Sequence, residues 1–175
     1  MQELVNDGVR LIAATLDLLN AEEISGRELA TRLNLAPPPS WPPEHNDAAT
    51  RAWFAEKLRD DPANDGWVAW YVIARYAGAE TLAGTAGFTG KPENGVVEVG
   101  YAIIPELQRR GIATKAVAAL CRKAFADPAV TAVTARTFPN LFASQGVLRK
   151  AGFTRIGEAT DPAEGVIWTY RLDRP

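Results

Sequence analysis

The sequence predicts a mixed α+β domain in which a central, largely antiparallel sheet is flanked by helices. Three runs rich in Val, Ile and aromatic residues follow one another at 66–76, 81–90 and 95–104, and the hairpin-type breaks "AGAE" and "KPEN" separate them. Helical patterns precede these runs, and a helix, a strand, a helix and a strand follow them. Strands surrounded by helices, with one strand-helix-strand crossover, define this class.

The first part of the chain reads as a short strand followed by helices. "VRLIAAT" at 9–15 predicts the strand, and leucines at helical spacing in 16–33 predict helical segments. Five prolines in "APPPSWPPEH" at 36–45 forbid a regular helix or a central strand. The next helix is expected over 47–61, with Asp47 as its N-cap.

The last part alternates helices and strands. From Ile112 the apolar spacing changes to that of a helix, and "AVTAVTART" at 129–137 is another β-branched run. A second helical pattern over 141–151 ends at Gly152, which suits a C-terminal cap, and "VIWTYRL" alternates as a final strand.

Composition excludes several classes of protein. With 175 residues, of which 47% are hydrophobic and 23% charged, the chain suits one globular domain over 1–175. Nineteen basic and 21 acidic residues, a net charge of -2, argue against a nucleic-acid or membrane-surface protein. One Cys and one His make an internal disulfide impossible and a metal site improbable. The first 19 residues fit neither a signal peptide nor a membrane span, so a cytoplasmic protein is expected.

The loop "PELQRRG" at 105–111 lies between a predicted strand and a predicted helix. The first N–H groups of a helix lack intrahelical partners and lie at the positive end of its dipole, so they suit an anion. Gly111 allows close backbone approach, and Arg109 and Arg110 add positive charge. The alternative is a solvated basic turn, and the loop's structural context favours a phosphate site.

Two motifs together resemble the GNAT superfamily of acetyl-CoA-dependent N-acetyltransferases. One is Q-x-x-G-x-A at 108–113, and the other is "PNLFASQGVLRKAGF" at 139–153. The Asn and Ser of the second motif, and the Ala-Thr after the loop glycine, are most similar to the RimJ/RimL-like branch. The resemblance implies a twisted sheet of six to seven strands with splayed central strands, acetyl-CoA as cosubstrate and no metal.

The resemblance also implies which residues contact the coenzyme. They are Ile103, Ile104, Gln108, Arg109, Arg110, Gly111, Ile112, Ala113, Thr114, Asn140 and Ser144. Ile103 and Ile104 would act through backbone N–H groups while their side chains stay in the core. Asn140 is equally well explained as a helix cap.

Acetyl transfer to an amine needs a base and can use an acid for the departing thiolate. Glu98 is the candidate base, because it interrupts an apolar strand and matches a glutamate that some family members use; the alternative is a solvent-facing or ion-paired side chain. Many members place a tyrosine acid where this chain has Leu148. Ser144 therefore remains as the second candidate catalytic residue.

Trp41 and His45 are the candidate acceptor-binding residues, on the proline-rich segment. Trp41 could form a substrate wall or a plug on the core, and a lone histidine is commonly a surface residue. Cys121 falls on an apolar helix face and is expected to be buried and inert. "GTAGFTGK" at 84–91 imitates a phosphate loop, but its spacing is wrong, so its glycines are expected to serve a strand bend or bulge.

The function expected is direct transfer of an acetyl group from acetyl-CoA to a primary amine, on a protein N-terminus or a small molecule. Because the usual tyrosine is missing, the alternative is a non-catalytic acetyl-CoA sensor or interaction domain. A second copy of the chain is a candidate partner.

Overall fold

A computed structural model describes residues 1–175 and contains one eight-stranded sheet. The strand order is β1-β2-β3-β4-β5-β6-β8-β7. The strands are β1 (Glu3–Asn6), β2 (Val9–Ala13), β3 (Ala69–Tyr76), β4 (Ala79–Phe88), β5 (Val96–Ile103), β6 (Ala132–Thr137), β7 (Thr154–Asp161) and β8 (Gly165–Asp173).

Five α-helices lie on the two faces of this sheet. They are α1 (Leu16–Ile24), α2 (Gly26–Arg32), α3 (Ala48–Asp60), α4 (Ile112–Ala126) and α5 (Phe142–Lys150). The predicted cap of α3 is confirmed, since an Asp47 side-chain oxygen accepts from the Thr50 N–H at 2.8 Å. Gly152 follows α5 with a φ of 92°, the left-handed conformation expected beyond a helix end. None of the helices is long and apolar enough to cross a bilayer.

The sheet opens at its centre, between β5 and β6. All other neighbouring strands are antiparallel, whereas β5 and β6 are parallel and pair only from Val96 opposite Ala132 to Glu98 opposite Thr134. Beyond these three positions β5 stays with β4 and β6 with β8, so a gap opens between them. The splayed central strands that the sequence predicted are therefore present.

Two hydrophobic cores cover the two faces. The alternation of β3 divides its side chains, with Trp70 and Val72 in a cluster of 27 buried residues and Tyr71 and Ile73 in a cluster of 11. The larger cluster packs α4 and α5 on one face, and the smaller packs α1, α2 and α3 on the other. Cys121 lies in the larger cluster as predicted, and burial raises the pKa of its thiol to about 12.

The glycines of "GTAGFTGK" belong to β4, where strands approach closely. A Cβ atom at Gly84 would collide with the Ala102 carbonyl oxygen, and one at Gly87 with the Val68 carbonyl oxygen. The pairing of β3 with β4 also shifts register between Val72 and Ile73, next to Gly84. The expected bulge is therefore present.

The α+β class and the mostly antiparallel sheet agree with the sequence prediction, but the sheet has eight strands instead of six to seven. The strands without a counterpart in the sequence reading are β1 and β7. Both are edge strands, and β7 is exposed at every residue except Asp161. A strand that buries neither face needs no alternation of apolar residues, so no periodic signal marks it.

Candidate active site

The loop between β5 and α4 is held in a shape that points backbone N–H groups outward. The Gln108 side-chain amide donates to the Ile103 carbonyl at 2.9 Å and fixes the loop to the end of β5. Arg109 and Gly111 both have left-handed backbones, with φ values of 58° and 75°. A Cβ at Gly111 would meet no atom within 4 Å, so the backbone conformation, not crowding, is what favours glycine here.

The N-terminus of α4 offers unpaired donors at this loop. No side chain caps the helix, and its first α-helical bond is from the Lys115 N–H to the Gly111 carbonyl. The N–H groups of Ile112, Ala113 and Thr114 therefore lack intrahelical acceptors, and the helix dipole adds positive potential. The predicted loop residues are brought together at one helix end.

Two arginines supplement these donors. Arg109 and Arg110 are exposed and form no ion pair, and the Arg110 guanidinium lies 5.6 Å from the centre of the Tyr76 ring. Lys115, one turn into α4, is instead paired with Asp7 at 2.8 Å. The free positive charge beside the helix end thus comes from the two loop arginines.

The backbone of β5 presents donors to the central gap, but the donor of Ile104 is not among them. The Ile104 N–H donates to the Ala83 carbonyl at 2.9 Å, and the Thr89 N–H donates to the Glu98 carbonyl at 3.0 Å. Even-numbered residues of β5 therefore pair with β4, and the N–H groups of Tyr101 and Ile103 point the other way, into the gap. The Ile103 N–H therefore faces the gap as predicted. The second N–H that faces the gap belongs to Tyr101 and not to Ile104.

A hydroxyl pair spans the gap between β5 and α5. The Tyr101 hydroxyl donates to the Ser144 carbonyl at 3.1 Å and lies 3.0 Å from the Ser144 Oγ. Burial raises the pKa of Tyr101 to about 12, so the phenol stays protonated at neutral pH. Leu148, at the position where relatives carry a tyrosine, is fully buried on the same helix as Ser144. Tyr101 of β5 therefore supplies a phenol at the gap, opposite α5.

Asn140 is exposed and does not cap α5. The helix begins at Phe142 after Leu141, and no side chain accepts a hydrogen bond from its first turn. The buried Gln145 instead braces the preceding turn, donating to the carbonyls of Phe138 and Pro139 at 3.1 and 2.9 Å. The capping explanation for Asn140 is therefore wrong, and its side chain is left without a partner in the protein.

Glu98 lies on the face of β5 that is turned away from α4. Val97, Val99 and Ile103 belong to the larger core, so alternation places Glu98 on the opposite face. Its carboxylate is 28% exposed and accepts from the Nε of Arg136 on β6 at 3.0 Å. The structure thus shows the ion-paired arrangement, not a buried carboxylate, and a role as base stays a prediction.

The proline-rich segment is tied down by one buried carboxylate. Glu22 of α1 accepts from the Trp41 indole at 3.0 Å, the Asn46 amide at 2.6 Å and the Tyr71 hydroxyl at 2.7 Å. Burial raises the pKa of Glu22, and these three hydrogen bonds oppose the shift. Trp41 packs against both cores and does not line the groove described next, which favours the plug over the substrate wall.

A groove of about 210 Å³ opens on the same face as Glu98. One wall comes from the segment before α3 and from α3 itself, and the floor comes from β4 and β5. Its lining residues are Glu44, His45, Asn46, Thr50, Trp53, Phe54, Thr85, Ala86, Gly87, Phe88, Thr89, Gly100, Tyr101 and Ala102. His45 is exposed, has a φ of 64° and stands at this groove, as predicted for an acceptor-binding residue.

A second, polar pocket of about 330 Å³ adjoins the groove. Thr89 lines both cavities, and the polar pocket also includes Lys91, Glu93, Glu98 and Thr134. The two cavities together run along one face of the sheet, from Glu98 to the level of Tyr101.

Sequence reasoning missed Tyr101, Trp53, Gln145 and Glu22. Tyr101 lies in "VEVGYAII" and Trp53 in a helical apolar pattern, so each was read only as part of a regular element. Glu22 interrupts a leucine-rich helix, and a carboxylate in such a run is the one signal that could have drawn attention to it. Tyr101, Trp53 and Gln145 have no feature in the neighbouring sequence that distinguishes them.

Comparison with known proteins agrees with this geometry. A family model described as "Acetyltransferase (GNAT) domain" matches residues 11–154. The chain is 29% identical over 151 residues to the uncharacterized N-acetyltransferase YjdG of Bacillus subtilis (strain 168), covering 86% of this chain and 88% of the relative.

Solved structures share the fold at low sequence identity. The ribosomal-protein-S5-alanine acetyltransferase from Vibrio fischeri superposes with a TM-score of 0.69 at 19% identity, covering 99% of this chain and 97% of the other. AAC(6')-Ib in complex with ribostamycin and coenzyme A gives a TM-score of 0.62 at 22% identity, covering 96% and 94%. At these identities the likeness shows the fold alone.

Proposed function

Because the chain belongs to the GNAT family and is an acetyl-CoA-dependent N-acetyltransferase, we propose that it transfers the acetyl group directly to a primary amine of a protein N-terminus or a small molecule. The observation that carries the proposal is the position of the central gap. The α4 loop opens into the gap from one side, and the groove reaches Tyr101 from the other face of the sheet. Coenzyme and acceptor can therefore meet at β5.

The coenzyme would bind along the loop and the gap. The N–H groups at 109–114 and the cations of Arg109 and Arg110 suit the pyrophosphate. The N–H groups of Tyr101 and Ile103 suit the amide-containing arm, much as a neighbouring strand would. Asn140, whose side chain has no protein partner, and Ser144 form the opposite wall.

Two proton transfers accompany the reaction, one from the amine nitrogen and one to the thiolate sulfur. The amine nitrogen attacks the thioester carbonyl carbon, the carbon–sulfur bond breaks, and the electron pair of that bond stays on sulfur. The nitrogen loses its proton to Glu98 through water, while the sulfur takes the proton of the Tyr101 hydroxyl. The Tyr101 phenolate then regains a proton from solvent, relayed by the Ser144 hydroxyl hydrogen-bonded to it, and Glu98 releases its proton to solvent.

The thermal unfolding midpoint with and without acetyl-CoA tests the proposed coenzyme site. A hundredfold excess of ligand over its dissociation constant is expected to add about 2.7 kcal/mol to the free energy of unfolding. Release of free thiol that depends on an added amine then tests transfer. Binding without any amine-dependent release would favour the sensor or interaction domain.

Replacing both Arg109 and Arg110 with alanine is expected to weaken acetyl-CoA binding by about 10- to 100-fold, because each removes charge-assisted bonds to phosphate. Titration calorimetry measures this effect. Arg122→Ala, an exposed arginine further along α4, is the matched control and should leave the affinity unchanged. Equal affinity of the double variant and the wild type would refute the charge contribution of the loop.

Glu98→Gln is expected to lower turnover at neutral pH by about 100-fold, since a positioned base commonly contributes about 10²- to 10⁴-fold. Acetyl-CoA affinity should stay the same, which calorimetry checks. Glu158→Gln alters another arginine-paired carboxylate, on β7 and outside both cavities, and serves as control. Undiminished turnover of Glu98→Gln would remove Glu98 from the mechanism and leave it as the partner of Arg136.

A further inference from the structure

We infer that the groove selects a primary amine that is attached beside a bulky apolar or aromatic group and carries no second charge. The inference rests on the proposed function, because it takes the groove as the acceptor site. It names the class of acceptor, which family membership leaves open. Three features of the groove carry it: a partly exposed tryptophan on the wall, a pair of glycines in the floor, and few charged lining residues.

The wall presents a partly exposed aromatic ring, that of Trp53. Trp53 is 36% exposed although its neighbour Phe54 packs against the smaller core. The two rings lie 5.3 Å apart between centres at an angle of 59°. Since Phe54 anchors α3, the Trp53 ring is held at the groove by a fixed helix. An apolar group of the acceptor would bury this surface, and burial of apolar surface is the main source of affinity in such sites.

Part of the floor opposite this wall lacks side chains, although Thr85, Thr89 and Ala102 also line it. Gly87 of β4 and Gly100 of β5 are paired directly across the two strands. A Cβ at Gly100 would meet no atom within 4 Å, so the space above this residue is open. A Cβ at Gly87 would instead collide with the Val68 carbonyl oxygen, so the backbone just before β3 already fills that space and the open part of the floor is at Gly100. A flat or branched apolar group fits between a tryptophan and such a floor.

The charges of the groove-lining residues narrow the class of acceptor amine further. Of the groove-lining residues, Glu44 is the one carboxylate and His45 the one basic side chain. Within the groove a polyamine or aminosugar would find one carboxylate for its several cations, because Glu93 and Glu98 lie in the adjoining polar pocket. The Lys57 ammonium also lies 5.5 Å from the Trp53 ring. A free amino acid would find no arginine or lysine in the groove for its carboxylate. An amine with one positive charge and an uncharged apolar neighbour matches both observations.

The adjoining polar pocket suggests how such an acceptor continues. Thr89 connects the two cavities, and the polar pocket offers Lys91, Glu93 and Thr134 beside Glu98. A peptide whose first residue occupies the groove would place its next polar groups in this pocket. A small arylalkylamine has the same chemistry at the amine and would leave the polar pocket unused.

The test compares catalytic efficiencies for matched acceptors at saturating acetyl-CoA. Tetrapeptide amides that differ only in the first residue (Phe, Leu, Ala or Ser) are compared with phenethylamine, spermidine and free phenylalanine. We expect kcat/KM to be at least about 10-fold higher for the Phe or Leu peptide than for the Ser peptide. Spermidine and free phenylalanine should be poorer still. Phenethylamine against the Phe peptide distinguishes a small-molecule source from a peptide source.

Trp53→Ala tests the wall directly. It should lower kcat/KM for the Phe peptide about 10-fold more than kcat/KM for the Ser peptide, while leaving the acetyl-CoA affinity unchanged. Glu56→Ala, an exposed position on the same helix, is the matched control and should change neither. Because Trp53 lies at the surface, the variant should fold, which its unfolding midpoint verifies.

The outcomes separate the inference from the proposed function. Transfer to spermidine or to the Ser peptide in preference to the Phe peptide would overturn the inference while confirming acetyl transfer. An equal loss with every acceptor in Trp53→Ala would also overturn it, because the ring would then not recognise the apolar group. Thiol release with none of the acceptors, despite coenzyme binding, would refute the proposed function and the inference with it.

Discussion

Replacing Tyr101 with phenylalanine is expected to lower kcat about 100-fold, near the lower end of the contributions of about 10²- to 10⁴-fold made by a positioned acid. The variant removes one oxygen from the gap between β5 and α5 and leaves the ring. The KM for acetyl-CoA should change little, because the backbone N–H of residue 101 is retained. Steady-state kinetics with amine-dependent thiol release measures both parameters.

The pH profile distinguishes this role from a purely structural one. Burial raises the pKa of Tyr101 to about 12, so the hydroxyl is a donor across the whole range below that value. The kcat of Tyr101→Phe should therefore be lowered by the same factor from pH 6 to pH 9. A factor that varied across this range would show that Tyr101 is coupled to another titrating group and is not a constant donor.

Tyr170→Phe is the control for the loss of a buried phenol. Tyr170 lies in the same core cluster, on β8, and forms no side-chain hydrogen bond in the protein. Its variant should keep normal kcat.

The lost Tyr101 hydrogen bonds should cost about 1 kcal/mol of unfolding free energy. If Tyr101→Phe showed that loss of stability with unchanged kcat, its hydroxyl would serve only to tie β5 to α5.

Glu22→Ala is expected to lower the free energy of unfolding by about 3 kcal/mol or more, because it leaves three buried donors without an acceptor. The donors belong to Trp41, Asn46 and Tyr71. For a chain of this length the unfolding midpoint should fall by about 10 °C. Activity should fall as well, since Asn46 lines the groove and Trp41 anchors its segment.

Glu23→Ala is the matched control on the neighbouring position of α1. Glu23 is exposed and paired with Arg51 at 2.5 Å, so its removal should cost about 0.5 kcal/mol. Denaturant unfolding of both variants gives the comparison. Equal small losses for the two variants would show that the Glu22 hydrogen bonds do not stabilise the fold.

The stability of the wild type should also depend on pH through Glu22. Burial raises the pKa of Glu22 above its ordinary value of 4.5, so in this range the folded chain holds more protons than the unfolded chain. The free energy of unfolding therefore falls as pH rises from 4.5 through the folded-state pKa, and then levels off. Glu22→Gln cannot titrate and should lose this slope. An identical slope in the two proteins would assign the pH dependence to other groups.

The parts of the candidate site whose local structure agrees with the sequence prediction are local in the chain. The loop at 108–111 and the start of α4 are adjacent residues, so turn, glycine and helix signals describe them together. Burial of Cys121 follows from the spacing of its own helix. An error arose where the partner is distant, because the Ile104 N–H donates to the Ala83 carbonyl of another strand and is not free.

Edge strands form a second class of error. The residues of β7 include Arg155, Glu158 and Asp161, and the strand exists because its backbone pairs with β8 over seven positions. Backbone pairing is open to almost any residue, so its presence depends on a neighbour being in place. Central strands give a stronger sequence signal. Both faces of β3, for example, must be apolar because each face packs into one of the two cores.

Residue types at short spacing were enough to predict the fold class, the family resemblance and the position of the candidate phosphate loop. The tertiary structure alone decided which side chains meet in the gap. Tyr101 and Ser144 are 43 positions apart, and Glu98 and Arg136 are 38 apart. Their contacts depend on strand order and register, which place β5 beside β6 and then separate them. No short-range periodicity encodes that choice, so the phenol at the reacting face and the carboxylate's ion pair emerge only once the sheet is assembled.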